Sequence, residues 1–391
     1  MSERGKLLVR ADAVVVADRF VENATIVVEG GMIVGVFDQN EADGRTDGRT
    51  IDLAGLTVYP GFIDVHNHGA VGVDVNEATA EGLVEIGRFL ASRGVTAWLP
   101  TFVPDADDAY RRVVGEIEKV LAMQSALPIA QIVGLHYEGV FANEKMCGAL
   151  RPEYFKIFTG GELNDLPTIS GGAHLTTLAP EIEGGVALVA ELSRRRWIPS
   201  IGHTRADTAT LEAAFAAGAR HVTHLFNAMT GVHHRELGVA GWALTTDDIF
   251  CEIIADGIHV HPEMLRFAQK NKPADRLLLV SDSVAPTGLG DGEYELWGER
   301  IAVTNGRTRN ERGSIAGSVI TMLDAVKMYL SLGVEPPRVA QMASTNPARL
   351  LGADAERGAI RAGLRADLAA LDAEGEVRFC LIGGDVAFDR L

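Results

Sequence analysis

The segment Pro60-Gly61-Phe62-Ile63-Asp64-Val65-His66-Asn67-His68 ends an apolar run with two histidines two residues apart. In a strand, side chains at i and i+2 point to the same side, so His66 and His68 can grip one metal ion together. Imidazole nitrogen suits zinc and its first-row neighbours. Ordinary loops also contain such pairs, so placement matters more than spacing. Four further groups repeat the placement. Glu138 follows the run Ile129–Tyr137, His203 follows Trp197–Gly202, His224 follows Arg220–Thr223, and Asp282 follows Leu277–Val280. A carboxylate at the end of an apolar strand is costly unless it is paired or ligating. Any one of these residues could simply cap the next helix. Six metal-capable or acid–base residues at the ends of five strands point instead to a metal site.

The elements that must position them alternate through the middle of the chain. Apolar strands are expected to end at Asp64–His66, Leu99–Thr101, Leu135–Tyr137, Thr176–Leu178, Ser200–Gly202, Thr223–Leu225, Ile253–Ala255 and Val280–Ser281. Between most of them lie stretches with a helical apolar period, such as Glu81–Ser92, Ala187–Arg195 and Thr208–Ala217. This pattern predicts an α/β fold, a (β/α)8 TIM barrel whose catalytic face is formed by the C-terminal strand ends. A doubly wound open sheet would carry a Gly-rich turn after its first strand, and none is present. Short β-rich runs at both ends (Leu7–Val9, Ala13–Val16, Thr25–Glu29, Met32–Val36; Asp367–Leu371, Val377–Leu381, Asp385–Phe388) predict a small β-sandwich. The expected division is residues 1–57 with 358–391 for the sandwich and 58–357 for the barrel. Residues Glu41–Thr50 read as a polar loop.

Composition narrows the partners. The 391 residues carry a formal net charge of −17, which disfavours nucleic acid but leaves room for one small phosphorylated ligand held by local cations. Cys147, Cys251 and Cys380 form no disulfide framework and suit a reducing compartment. No apolar run approaches the ~20 residues of a membrane span. A cytoplasmic protein without membrane or nucleic-acid partners is expected.

Further motifs make the pattern specific. They are PGFIDVHNHG at 60–69, HYEG at 136–139, IGHT at 201–204, THLFNAM at 223–229 and HHRELG at 233–238. ADGIHVHP at 255–262, VSDS at 280–283, IAGS at 315–318 and GAIRAGLRADLAALD at 358–372 continue it. With these motifs the chain resembles, over nearly its whole length, the amidohydrolase superfamily and within it the N-acetylglucosamine-6-phosphate deacetylase family. The resemblance implies that Glu138, His203 and His224 are the main metal ligands. It further implies that His66 and His68 complete a second metal position with Glu138 as a candidate bridge, and that Asp282 is the general acid–base. Asn227, Ala228, Arg235 and His259 would bind a phosphorylated amino sugar, and Ile315 and Ala316, within Ile315–Ser318, would line the acetyl pocket. The implied cofactor is a divalent metal, Zn2+ first and Fe2+ or Mn2+ as alternatives, one or two per subunit, and the implied assembly is a homodimer. Such a metal lowers the pKa of water towards ~7 and polarises a carbonyl. Asp282 would then accept the water proton and deliver it to the departing amine.

Two positions depart from the family pattern. Val140 stands where relatives usually have proline, and Leu150 ends Cys147-Gly148-Ala149-Leu150 where relatives commonly place a substrate-binding histidine. Leu150 cannot donate a hydrogen bond, which leaves N-acetylgalactosamine-6-phosphate or another acylated amine as an alternative substrate, and a non-catalytic barrel as a remote one. His136 shares the parity of Glu138 and is a secondary candidate. His221 and His174 read as structural, Cys147 as unreactive, and Gly288–Gly292 as a flexible loop near the site.

Overall fold

The computed structural model describes residues 5–16, 19–38 and 47–391, so part of the polar loop expected over Glu41–Thr50 lies outside the described residues. The chain opens with β1 (Leu7–Val16), β2 (Arg19–Glu29), β3 (Met32–Asp38) and β4 (Arg49–Pro60). β5 (Phe62–Asn67), β6 (Val95–Phe102), β7 (Gly134–Phe141) and β8 (Ala173–Leu178) follow. Then come β9 (Ile198–Ile201), β10 (His221–Val222), β11 (Phe250–Ile254) and β12 (Leu277–Val280). β5 to β12 pair in chain order and in parallel, which makes the predicted eight-stranded barrel. The ring closes at its C-terminal end. There the Asp282 amide donates to the His66 carbonyl at 2.9 Å and the His68 amide to the Ser283 carbonyl at 2.8 Å.

Every residue of β5, β6 and β7 is buried. Helices cover the outside and side chains fill the inside, so these strands read as continuous apolar runs. The helix Thr208–Ala217 shows how the local signals act. Asp207 caps it by accepting from the Thr210 amide, and Gly218, at φ 119°, ends it in the left-handed region. A Cβ at Gly218 would fall 2.3 Å from Ser193 Oγ, so only glycine fits.

The alternation fails in two places, both at the catalytic face. Between β7 and β8 the described residues form short 3-10 turns instead of an α-helix. After β12, the Gly288–Gly292 segment is a turn that leads into β13 (Gly292–Leu296), β14 (Glu299–Thr304) and β15 (Arg307–Asn310), a three-stranded antiparallel sheet. Its polar, alternating strands carry no long apolar run, and the sequence signal for them is weak.

Both termini meet in one seven-stranded sheet, completed by β16 (Leu368–Leu371), β17 (Val377–Ile382) and β18 (Asp385–Asp389) in the order β18-β17-β16-β4-β1-β2-β3. The sheet curls over its own apolar core, with the Ile33 amide bonded to the Leu364 carbonyl and the Ala366 amide to the Gly31 carbonyl. Where the sequence suggests two runs at Leu7–Val9 and Ala13–Val16, a single strand continues through an irregularity between Ala11 and Ala13. β4 runs almost directly into β5, so the sheet is tied to the barrel strand that carries the first two histidines.

Candidate active site

The strand ends bring six predicted residues into one buried constellation. His66 closes β5 and His68 lies just beyond it, while Glu138 sits in β7 where its register with β8 shifts. His203, His224 and Asp282 each follow their strands in left-handed backbone conformations, at φ 47°, 28° and 52°. Such conformations cost on the order of 1–3 kcal/mol each in a non-glycine residue and cluster at functional sites. Here they end the strand and swing each side chain across the barrel mouth.

The side chains form two sets, His66–His68–Asp282 and Glu138–His203–His224, in each of which one ligand atom per residue lies within 4.8 Å of the others. Glu138 stands between them. Its Oε1 lies 2.9 Å from His224 Nε2, 3.0 Å from His203 Nε2 and 3.5 Å from His66 Nε2, and its Oε2 lies 3.3 Å from His68 Nε2. Asp282 Oδ1 is 3.2 Å from His68 Nε2 and 3.4 Å from His66 Nε2.

The outer nitrogens decide what these inner ones can do. His203 Nδ1 donates to the Met146 carbonyl at 2.8 Å, His68 Nδ1 to the Thr101 carbonyl at 3.1 Å, and His66 Nδ1 to Glu252 Oε2 at 3.0 Å. A neutral ring whose Nδ1 carries the proton presents a bare lone pair at Nε2. Two such nitrogens face each other at 3.1 Å in the His66–His68 pair, and His203 Nε2 faces His224 Nε2 at the same distance. Facing lone pairs beside carboxylates are the donor arrangement of a divalent-cation site, so the residues fit a metal of this class.

The field of the carboxylates favours positive charge at these same nitrogens, whether a proton or a metal ion carries it. Burial opposes charge on Glu138, but the His66 imidazole and those of His203 and His224 outweigh it and hold the carboxyl well below its usual range. Burial also opposes protonation of His66 and His68. The nearby carboxylates reverse this, lifting His66 well above its ordinary value and His68 to about 9. Deeper in the barrel burial prevails, and it pushes His136 well down and His221 to about 4. Positive charge is therefore favoured only at the mouth.

Beneath the mouth lie residues that the sequence reading missed. Glu252 in β11 is fully buried, accepts from His66 Nδ1, and also accepts from the His224 amide at 3.1 Å. Asp64 accepts from Ser281 Oγ at 2.6 Å and from Asn67 at 3.1 Å. Glu252 had one readable signal, a lone carboxylate inside Phe-Cys-Glu-Ile-Ile. His136 is a hydrogen-bonded support: Nε2 meets Thr177 Oγ1 at 2.8 Å and the ring packs edge-on against His66 at 4.6 Å. His221 bonds Ser200 Oγ at 2.8 Å, and His174 stacks on Trp197, both structural as expected.

A cavity of about 300 Å³ opens above the two sets. His259, Asn227, Ala228 and Ile315 line it, together with Leu150 and Trp297. Trp297, in the β13–β14 turn, lies edge-on to His68 at 5.6 Å between ring centres and was not anticipated. Two further expected residues stand outside this cavity. Ala316 does not face the cavity, because its methyl packs in the small core with Val284, Leu296 and Ile301. Arg235 is exposed and lines a neighbouring concavity, where its guanidinium meets His234 Nε2 at 2.7 Å. The His233–Arg235 loop turns outward, a direction its residue types do not specify. Val140 is buried outside the cavity, and Cys147 is partly exposed.

Known proteins share both the sequence and the arrangement. The amidohydrolase family model matches residues 57–387. The N-acetylgalactosamine-6-phosphate deacetylase of Escherichia coli O157:H7 is 35% identical over 330 residues, 84% of this chain and 87% of that protein. The N-acetylglucosamine-6-phosphate deacetylase of Bacillus subtilis strain 168 is 33% identical over 390 residues, 98% and 97% of the two chains. The crystal structure of the N-acetylglucosamine-6-phosphate deacetylase from Pasteurella multocida superposes with a TM-score of 0.90 at 27% identity, covering 97% and 99%. Since the matched span runs from β4 to β18 and takes in both ligand sets, the chain belongs to the amidohydrolase family.

Proposed function

We propose that this chain hydrolyses the N-acetyl group of N-acetylglucosamine-6-phosphate to glucosamine-6-phosphate and acetate, a step of amino-sugar breakdown. The observation that carries this reading is a single cavity in which the Asp282 and Glu138 carboxylates lie below Asn227, Ala228 and His259. Near-full-length similarity to the Bacillus subtilis deacetylase supports it.

In this reading Glu138, His203 and His224 would hold the principal metal, and His66 and His68, beside Glu138, would offer a second position. Zn2+ suits the imidazole and carboxylate donors, with Fe2+ or Mn2+ as alternatives. When bound, a divalent ion supplies carbonyl polarisation and a water of lowered pKa. The Asp282 carboxylate takes the proton from water and returns it to the amide nitrogen as the C–N bond breaks. His259 is held by Asp256 Oδ2 at 2.6 Å from its Nδ1, which leaves Nε2 free to meet the sugar or its phosphate. Asn227 and the Ala228 backbone would add donors to the anion. Arg235 meets His234 outside this cavity, so within one subunit it does not line the substrate site. The subunits are proposed to pair as homodimers in the cytoplasm, and among the described residues no helix is long and apolar enough to cross a membrane.

A second reading is specific enough to keep. Leu150 lines the cavity where the family resemblance implies a histidine, and the Escherichia coli relative named for the galactosamine epimer is 35% identical. Acetate release from both 6-phosphates, beside unphosphorylated N-acetylglucosamine, separates the two. Turnover that requires the phosphate and prefers the glucosamine epimer is expected. Absence of turnover in protein shown to contain metal would overturn the proposal.

A further inference from the structure

A second, larger cavity of about 710 Å³ lies on the opposite side of the barrel. Its wall is formed by the segment that follows the last barrel helix, a π-helical turn over Gln341–Thr345 and the loop after it. This segment grips the N-terminal ends of the strands. Ser344 Oγ donates to the Pro60 carbonyl at 3.1 Å, and Asn346 Nδ2 donates to the Leu277 carbonyl at 2.8 Å. The segment that walls this cavity is therefore anchored at the start of β5 and β12, strands whose other ends lead to His66 and Asp282. Single π-helical turns are rare and are found frequently at functional sites.

The lining is cationic in a strongly acidic protein. Arg338, Arg349, Arg357 and Arg361 face the cavity with only Glu335 and Asp354 as acidic neighbours in its wall. Most of these guanidinium groups are poorly neutralised. Arg338 Nη2 donates to the Gln269 carbonyl, Arg361 Nη2 to the Asp354 carbonyl, and Arg349 reaches Asp275 only at 4.0 Å. Arg357 is the most telling. Its side chain is 6% exposed, and Nη2 pairs with Glu356 at 3.0 Å. Nη1 has no hydrogen-bond partner, and Asp367 Oδ2 stands 3.7 Å away. The guanidinium groups of the wall together leave hydrogen-bond capacity that a multidentate anion in the cavity can take up. The wall is also fixed in place: Gly358, at φ 91°, lets the chain pass where a Cβ would lie 2.5 Å from the Ala348 methyl.

We propose that this cavity is a second ligand site, separate from the catalytic one, that binds a phosphorylated small molecule through Arg357 with Arg338, Arg349 and Arg361. Planar guanidinium forks in one cavity wall match the oxygens of a phosphate. The volume is that of a small-metabolite site and exceeds what one inorganic ion fills. The site does not depend on which sugar the catalytic cavity accepts.

Calorimetric titration of the metal-loaded full chain with inorganic phosphate and with pyrophosphate, at constant ionic strength, tests it. Phosphate also has a proposed place at the catalytic mouth, so the titration is repeated on His259→Gln. Saturable binding should survive His259→Gln and weaken at least about tenfold in Arg338→Gln/Arg361→Gln, with amide hydrolysis unchanged in that double variant. Arg357→Gln should weaken it further. Should that buried substitution fail to fold, the partly exposed pair still decides. Absence of saturable binding, binding lost in His259→Gln, or binding untouched by the double variant overturns the proposal. Tighter binding of citrate than of pyrophosphate overturns its assignment to phosphate.

Discussion

The Glu252 carboxylate accepts the Nδ1 proton of His66 at 3.0 Å from a fully buried position in β11. This contact fixes the tautomer that leaves His66 Nε2 open towards Glu138 and Asp282. The same Glu252 oxygen also holds the His224 amide, so one carboxylate organises members of both ligand sets.

Glu252→Gln keeps the shape but removes the charge that steadies the proton on His66 Nδ1. Metal affinity or kcat/KM should fall about 10–100-fold. Metal titration and steady-state kinetics check this, and values equal to the parent's would remove Glu252 from the site.

Asp282→Asn cannot take up a proton. kcat should drop by roughly 10²–10⁴ with KM little changed, while the metal at Glu138, His203 and His224 is retained. An unaltered kcat in protein of equal metal content would sink the acid–base role.

His259→Gln should raise KM for the phosphorylated sugar by about 10–100-fold, the scale of one charge-assisted hydrogen bond. Turnover of the unphosphorylated sugar should hardly respond. An equal effect on both substrates would move His259 away from the phosphate.

Leu150→His places a donor in the cavity wall. kcat/KM for N-acetylglucosamine-6-phosphate, relative to the galactosamine epimer, should rise about three- to tenfold. If the ratio stays fixed, Leu150 does not set epimer preference.

Gly61→Ala tests the junction between the terminal sheet and the barrel. The added Cβ would lie 2.3 Å from the Thr96 side chain. Such overpacking costs about 1–3 kcal/mol. Tm should fall while activity at low temperature persists, and an unchanged Tm would show that Thr96 moves aside freely.

The barrel was legible because strands buried on both faces leave uninterrupted apolar runs, and a polar residue ending such a run stands out. His66, His68, Glu138, His203, His224 and Asp282 all carried that signal. Glu252 did not, since a carboxylate within an apolar strand looks like any inward position until its partners are seen. Trp297 lies in a hairpin of alternating polar strands, where no periodicity marks a contribution to the barrel mouth. Arg235 and Ala316 were expected at the site and lie outside this subunit's catalytic cavity. Their motifs were recognisable, but the direction a loop turns depends on long-range packing, which residue type does not encode.

The left-handed backbone at His203, His224 and Asp282 sets this site against the rest of the molecule. Glycine at His203 or His224 would relax the chain while abolishing a ligand, so metal-free protein should gain thermal tolerance as it loses competence. Heat selection in the presence of a chelator would enrich inactive sequences, and the same selection with metal supplied would preserve the histidines. The ion would thereby act on heredity as well as on chemistry, keeping in the lineage residues that folding alone would discard.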